Sequence, residues 1–225
     1  MVIITGASSG VGEFLMDYFD GENRVCGIYN TSKKSGSKLR KVDIRDFEDV
    51  DEWISSLSMS LEDKVVLINC AGINYDCFGH KADPLMWKNV IDTNLIGTFN
   101  VIRSVLPHMR AAKYGRIINI GSVVAQKGVL GTSAYAASKS ALWGLSKALA
   151  TENAGKGITI NNINLGYSNV GMGLTQITAG ARETLTSSIP AQRFSSPSEI
   201  ATTIDYLIAT EYINGSSVDL NGAYF

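Results

Sequence analysis

A tyrosine and a lysine stand four residues apart in Tyr135-Ala136-Ala137-Ser138-Lys139. On a helix that spacing stacks the two side chains on one face. A free phenol has a pKa of about 10 and is a poor proton shuttle at neutral pH. A neighbouring ammonium favours the phenolate and draws that value down. Reaching neutrality takes about three units, or roughly 4 kcal/mol of differential stabilisation. The pair thus predicts a general acid–base, Tyr135, whose pKa Lys139 lowers. Alone, it is also what a solvated helix face with a half-buried ring looks like. Its company shifts the balance. Ser122 lies thirteen residues before the tyrosine, at the end of the apolar run over residues 116–121. A hydroxyl there can hydrogen-bond an oxygen on which charge develops. Asn94 sits inside a helical pattern, where asparagine is disfavoured and needs a reason.

These side chains need elements to carry them. Val2-Ile3-Ile4-Thr5 reads as a short buried strand. Glycines follow at once, then helical spacing of Val11, Phe14, Leu15, Tyr18 and Phe19. Strand, glycine turn, helix is the setting of a phosphate-binding loop. Gly6, Ser8, Ser9, Gly10, Val11 and Gly12 are its candidate residues, in the pattern Gly-x-x-x-Gly-x-Gly. An ordinary βα turn is the competing reading. A second strand over residues 24–29 runs into Asn30, Thr31, Ser32, Lys33 and Lys34. An acid here would bind a ribose 2′-hydroxyl. None is present. An amide, hydroxyls and two lysines suit a 2′-phosphate, so NADP(H) is favoured over NAD(H). The rival reading makes the lysines loop charges in water. Residues 31–41 hold little apolar periodicity and predict a loop or single turn.

Asp43 then precedes a helix face of Phe47, Val50, Ile54 and Leu57, and could be its N-cap or a turn residue. Residues 65–70 lack alternation, as in a parallel strand buried on both faces. They lead into Asn69-Cys70-Ala71-Gly72, where Gly72 would let a ribose pack on backbone and Asn69 would brace the sheet. One long helix is expected over residues 84–109, with Trp87, Val90, Ile91, Leu95, Phe99, Ile102, Val105 and Leu106 buried. A strand delivers Ser122, and a helix from Tyr135 carries Leu142, Trp143, Leu145 and Leu149. A sixth strand spans residues 158–165. Residues 172–188 read as a mobile substrate lid. Pro197 opens a helix and residues 217–220 a last strand.

Composition narrows the class. The 225 residues are 45% hydrophobic, enough for one large core. Twenty basic against 21 acidic residues leave no nucleic-acid footprint. No apolar run approaches a membrane span. A strand starting at residue 2 leaves no room for a leader, and Cys26, Cys70 and Cys77 read as free thiols. A cytoplasmic protein is expected. His80 and His108 lack clustered partners, so no metal site is expected.

Taken in order, the Thr5–Gly12 loop, Asn94, Ser122 and Tyr135–Lys139 resemble the short-chain dehydrogenase/reductase family, from residue 2 to about residue 222. The resemblance implies an α/β fold: a single Rossmann-like domain over 1–225, with a doubly wound parallel sheet of about seven strands and helices on both faces. It implies hydride transfer between a nicotinamide cofactor and a small-molecule carbonyl or secondary alcohol. In that reading Tyr135 is the general acid–base, Lys139 also holds the nicotinamide ribose, and Ser122 binds the carbonyl oxygen. Asn94 would hold a water of a proton relay; a satisfied buried amide is an equal reading. Asp43, with Ile44 beside it, would meet the adenine. Ala71, Gly72, Gly166 and Ser168 would line the cofactor. The Asn94 and Tyr135 helices would pack on their copies in a homotetramer or homodimer. Residues 115–118 and 121–124 look like the 3-oxoacyl-[acyl-carrier-protein] reductase branch. Departures stand beside these matches. A helix is missing before Asp43, and Leu165-Gly166 replaces Pro-Gly. Val170 stands where a threonine would bind the carboxamide, with Ser168 or Asn169 as stand-ins. A non-catalytic NADP(H)-binding regulator is the alternative function.

Overall fold

The computed structural model describes residues 1–21, 24–31, 37–60, 62–171 and 177–225, with only the backbone of Ala179. Seven strands form one all-parallel sheet in the order β3-β2-β1-β4-β5-β6-β7. They are β1 Val2–Thr5, β2 Val25–Tyr29, β3 Leu39–Lys41, β4 Val66–Asn69, β5 Gly115–Ile120, β6 Ile158–Leu165 and β7 Ser217–Leu220. Winding reverses between β1 and β4, and there the carboxyl ends of the strands open a crevice for ligands.

Continuous apolar runs become central strands because both faces are covered. Neighbouring residues go to opposite cores: Ile3, Leu67 and Ile117 to one, Ile4, Ile68 and Ile118 to the other. The first core lies under α2 (Phe47–Ser56), α4 (Thr98–Ala112) and α5 (Ser133–Asn153). The second lies under α1 (Gly10–Phe19) and α7 (Pro197–Ala209). The capping residue of α2 is Asp46, whose side chain accepts from the Glu48 and Asp49 amides; Asp43 is not the cap.

Three expectations need correction. The helix over residues 84–109 is not continuous. It is α3 (Pro84–Ile91), a π-helical turn (Asp92–Gly97) and α4. A wide turn advances the helix phase, so Phe99 is 39% exposed and burial continues through Val101, Ile102, Val105 and Met109. Residues 39–41 are a strand rather than loop. Leu39, Arg40 and Lys41 pair with Gly27, Ile28 and Tyr29, a tertiary pairing with no local periodicity to announce it. Tyr18 is 47% exposed rather than in the α1 stripe, its hydroxyl donating to Asp205 of α7 at 2.5 Å.

Buried amides tie the strands side to side. Asn69 Nδ2 donates to Asn119 Oδ1 at 2.8 Å, and Asn119 Nδ2 to Ser146 Oγ at 3.0 Å. Ser146 Oγ donates to Asn162 Oδ1 at 2.9 Å, and Asn162 Nδ2 to Ser217 Oγ at 3.1 Å. The row crosses β4, β5, β6 and β7 through one helix hydroxyl, so Asn69 is the expected brace. Cys26, Cys70 and Cys77 are free. Among the described residues no helix is long and apolar enough to cross a membrane.

The amide row carries a prediction. Asn119→Ala strands the Asn69 amide in a dry interior, while the Ser146 hydroxyl keeps its bond to Asn162. An orphaned buried donor costs about 1–3 kcal/mol, so urea unfolding should show a loss of about 2 kcal/mol. A loss below about 1 kcal/mol would mean the row is not a brace.

Candidate active site

The glycine loop is set by close backbone approach. Gly6 has φ of +65°, and a Cβ there would lie 2.8 Å from the Ala71 backbone. A Cβ on Gly12 would lie 2.3 Å from the Gly6 carbonyl oxygen. Ser9 precedes α1 without a side-chain capping bond. Helix N-termini attract anions through their amides and dipole. Gly6, Ser9, Gly10, Val11 and Gly12 all line a cleft of about 940 Å³, while Ser8 is buried beside them. This cradle fits a diphosphate.

The same cleft reaches Ala71 and Gly72 after β4, Ser122 after β5, Tyr135 and Lys139 on α5, and Gly166 and Ser168 after β6. Lys139 is 4% exposed. Its ammonium donates to the Ile120 carbonyl at 2.7 Å and lies 5.6 Å from the Tyr135 ring centre. Ser122 is buried, and its Oγ accepts from the Val124 amide at 3.2 Å. Asn94 lies in the π-helical turn and is fully buried. Its Oδ1 accepts from the Ile73 amide at 2.8 Å, and its Nδ2 donates to the Ile73 carbonyl at 2.9 Å and to Ser138 Oγ at 3.0 Å. Ser138 Oγ donates in turn to the Tyr135 carbonyl at 2.8 Å. Gly72 leaves room for this corner: a Cβ there would lie 3.3 Å from Asn94 Oδ1 and 3.5 Å from Lys139 Nζ.

The expected lowering of the Tyr135 pKa by Lys139 is not what the free chain has. Burial pushes the Tyr135 phenol up to about 12, and the Ser122 hydroxyl beside it pulls the other way. Burial brings the Lys139 ammonium down to about 8, opposed by the nearby Cys70 thiol. The ammonium is turned to the Ile120 carbonyl, and desolvation of the phenolate dominates. At neutral pH the phenol keeps its proton and the lysine its charge.

Asn69, Asn94, Asn30, Asp43 and Ile44 are not among the residues that line the cleft. Asn30 and Asp43 touch through the Asn30 side chain, and the Asp43 carboxyl is held below its ordinary range chiefly by Arg45. The Ile44 side chain is core, wedged where a Cβ on Gly97 would be 2.6 Å away. Thr31 is exposed. Ser32, Lys33 and Lys34 lie outside the described residues. After β6, Gly166 abuts Asn221: a Cβ on it would lie 2.7 Å from the Asn221 Cα. Ser168 is buried with its hydroxyl unpartnered, whereas Asn169 is exposed and engaged by Arg182. Val170 packs into the second core, which accounts for an apolar residue where a threonine was expected. Sequence reasoning passed over Ser138 and the cleft-lining Asp76 and Tyr167. Only the position of Ser138, inside the Tyr–Lys spacing, signalled a role. Among the described residues no group of three or more His, Cys, Asp or Glu could hold a metal ion.

Residues 1–179 match the model of the family described as short chain dehydrogenase. An acetoacetyl-CoA reductase of Shinella zoogloeoides is 35% identical over 236 aligned residues, covering 100% of this chain and 98% of that protein. A 3-oxoacyl-[acyl-carrier-protein] reductase of Thermotoga maritima is 32% identical, covering 98% of this chain and 95% of its own length. The structure of ElxO with NADP bound superposes with a TM-score of 0.89 at 26% identity, covering 99% of this chain and 97% of that one.

Two predictions follow from this geometry. Gly12→Ala forces a Cβ against the Gly6 carbonyl and should weaken NADPH binding at least roughly tenfold by calorimetry, as one methyl group can where backbone must approach closely. Gly21→Ala, with nothing within 4 Å of its Cβ, is the control and should bind as the wild type does. The second concerns Lys139. Its folded pKa of about 8 lies below the ordinary 10.5, so in that window the unfolded chain holds a proton the folded chain has released. Stability therefore rises with pH there. Relative to Lys139→Met, the wild type should gain about 3 kcal/mol across this window in urea melts. A pH-independent difference would contradict burial of the charge.

Proposed function

Because the chain belongs to the short-chain dehydrogenase family, we propose that it is an NADP(H)-dependent oxidoreductase acting on a carbonyl or secondary alcohol, with Tyr135 as general acid–base. An NAD(P)-dependent short-chain dehydrogenase/reductase is the established part. The observation that carries the finer reading is convergence: Ser122, Tyr135 and Lys139 share one cleft with the glycine loop.

Gly6, Gly10, Val11 and Gly12 would cradle the diphosphate, and Ala71, Gly72 and Lys139 would face the nicotinamide ribose. Ser168 would meet the carboxamide, since Asn169 is taken. The reduced nicotinamide, when bound, supplies the hydride. Tyr135 keeps its proton at neutral pH and gives it to the developing alkoxide. Ser122 donates to the same oxygen and favours its charge. The Lys139 ammonium stabilises the phenolate left behind. Asn94 holds Ile73 and Ser138 in place and would anchor a water through which Lys139 passes a proton from solvent back to the Tyr135 phenolate. Oxidation runs the same steps backwards.

The NADP(H) preference rests on the absence of an acid at residues 29–34 and on the NADP-bound neighbour. Short 3-oxoacyl thioesters are the first substrates to test, because the relatives named for them align over the whole chain. Exposed Leu85, Met86, Ile96 and Phe99 on α3, the π-helical turn and α4 would be covered in a homodimer or homotetramer. We propose residues 172–188 as the substrate lid, of which residues 177–188, with α6 (Ala179–Ser188), are described.

Tyr135→Phe tests enzyme against cofactor-binding regulator. Turnover of a 3-oxoacyl thioester with NADPH should fall at least about a hundredfold, the low end for general acid–base loss, with NADPH affinity within about twofold. Calorimetry on the wild type should show NADPH bound more tightly than NADH. Unchanged turnover would remove Tyr135 from the chemistry.

A further inference from the structure

Four apolar side chains line the cleft without belonging to either core: Val124, Val129, Leu130 and Ile177. Leu130 is 84% exposed, although an apolar side chain gains by leaving water. A single exposed leucine is ordinary. Several such side chains gathered in one cleft are what a ligand site presents. This wall is at the reacting end. Val124 follows Ser122 closely, and Val129 and Leu130 come just before Tyr135.

The shape of the wall is held by backbone. Gly131, with φ of +81°, lets the chain turn into α5. Its carbonyl accepts from the Cys77 amide at 2.8 Å, which ties this loop to the segment after β4. The Ala125 and Gln126 amides donate to the Ser122 and Val123 carbonyls at 3.0 and 2.9 Å. Thr132 also lines the cleft, and its hydroxyl is turned to the Val129 carbonyl at 2.9 Å. Asn74 and Asp76, which line the cleft too, bond each other, Nδ2 to Oδ1 at 2.8 Å. The Asp76 charge is unfavourable to an anionic group nearby. A carbonyl held by Ser122 and Tyr135 would carry its substituent along this wall.

We infer that the wall of Val124, Val129, Leu130 and Ile177 receives an unbranched apolar tail on the substrate carbonyl, with Leu130 a specificity-determining residue, so that medium-chain 3-oxoacyl groups are favoured over the four-carbon group. The inference rests on the reductase reading of the cleft and deepens it to the substrate's tail.

The test is kcat/KM with NADPH for N-acetylcysteamine thioesters of straight-chain 3-oxo acids of four, six and eight carbons. A fully buried methylene is worth about fourfold, and one laid against a one-sided wall about twofold. The wild type should therefore gain roughly tenfold from four to eight carbons. Leu130→Asn keeps the size of the side chain and removes its apolar surface, and at 84% exposure the residue is not one the fold depends on. In that variant the gain should fall below about threefold. Damage to fold or chemistry would lower all three thioesters alike and leave the gain in place, so the ratio reads the wall. A flat or falling series in the wild type, or an undiminished gain in Leu130→Asn, overturns the inference alone. No reduction of any of the three by the wild type overturns the reductase reading with it.

Discussion

A lysine ammonium almost completely removed from water is the constraint around which the site is arranged. Lys139 is 4% exposed, and such a charge persists only with a fixed acceptor. The Ile120 carbonyl at the end of β5 is that acceptor. It lies on β5, next to β4 on the far side of the crevice from β1, and the lysine reaches it from α5. Gly72 borders the same corner, facing Lys139 Nζ and Asn94 Oδ1 across the space where a Cβ would stand. Asn94 must then reach across to Ile73, and the π-helical turn is what lets a residue within a helix do so. Around one ammonium gather a glycine, a helix irregularity and the end of β5.

The elements that could be read from sequence are those whose reasons are local. Glycines at 6, 10 and 12 announce a loop because backbone crowding there is a property of the loop itself. Val2–Thr5 and Val66–Asn69 read correctly because burial on both faces leaves a nearly unbroken apolar run. The π-helical turn was not legible. The contact its Asn94 makes is with Ile73, 21 residues away in sequence. Nor was β3, three residues held only by β2. The spacing of Tyr135 and Lys139 correctly implied neighbours on one face. It could not say which partner the ammonium prefers, because the Ile120 carbonyl enters only with the tertiary fold.

Val170 shows how a departure from a family pattern can be resolved by packing. An apolar side chain there is welcome because it lies against the second core with Leu165 and Leu220. The burden of a polar contact passes to Ser168, two residues nearer β6, whose buried hydroxyl has no partner in the free chain. A buried hydroxyl without a partner is costly, on the order of 1–3 kcal/mol, and is the kind of cost that a ligand can relieve. The substitution of Leu165 for proline is consistent with this, since Leu165 contributes to the same core rather than to a rigid turn.

The loop after β3 and the π-helical turn also share a support. Ile44, adjacent to Asp43, fills the space beside Gly97, the last residue of the π-helical turn that begins at Asp92 and contains Asn94. Asn100, one turn further, holds the carbonyls of Ile44 and Arg45. A displacement of Ile44 or Arg45 would therefore press on the element that positions Asn94. Packed interiors resist such shifts because they hold no spare volume. That rigidity gives a reason for glycine at position 97: any side chain would have to displace Ile44 and, through it, the loop that carries Asp43. The loop that carries Asp43 and the turn that carries Asn94 are in this sense one packed unit.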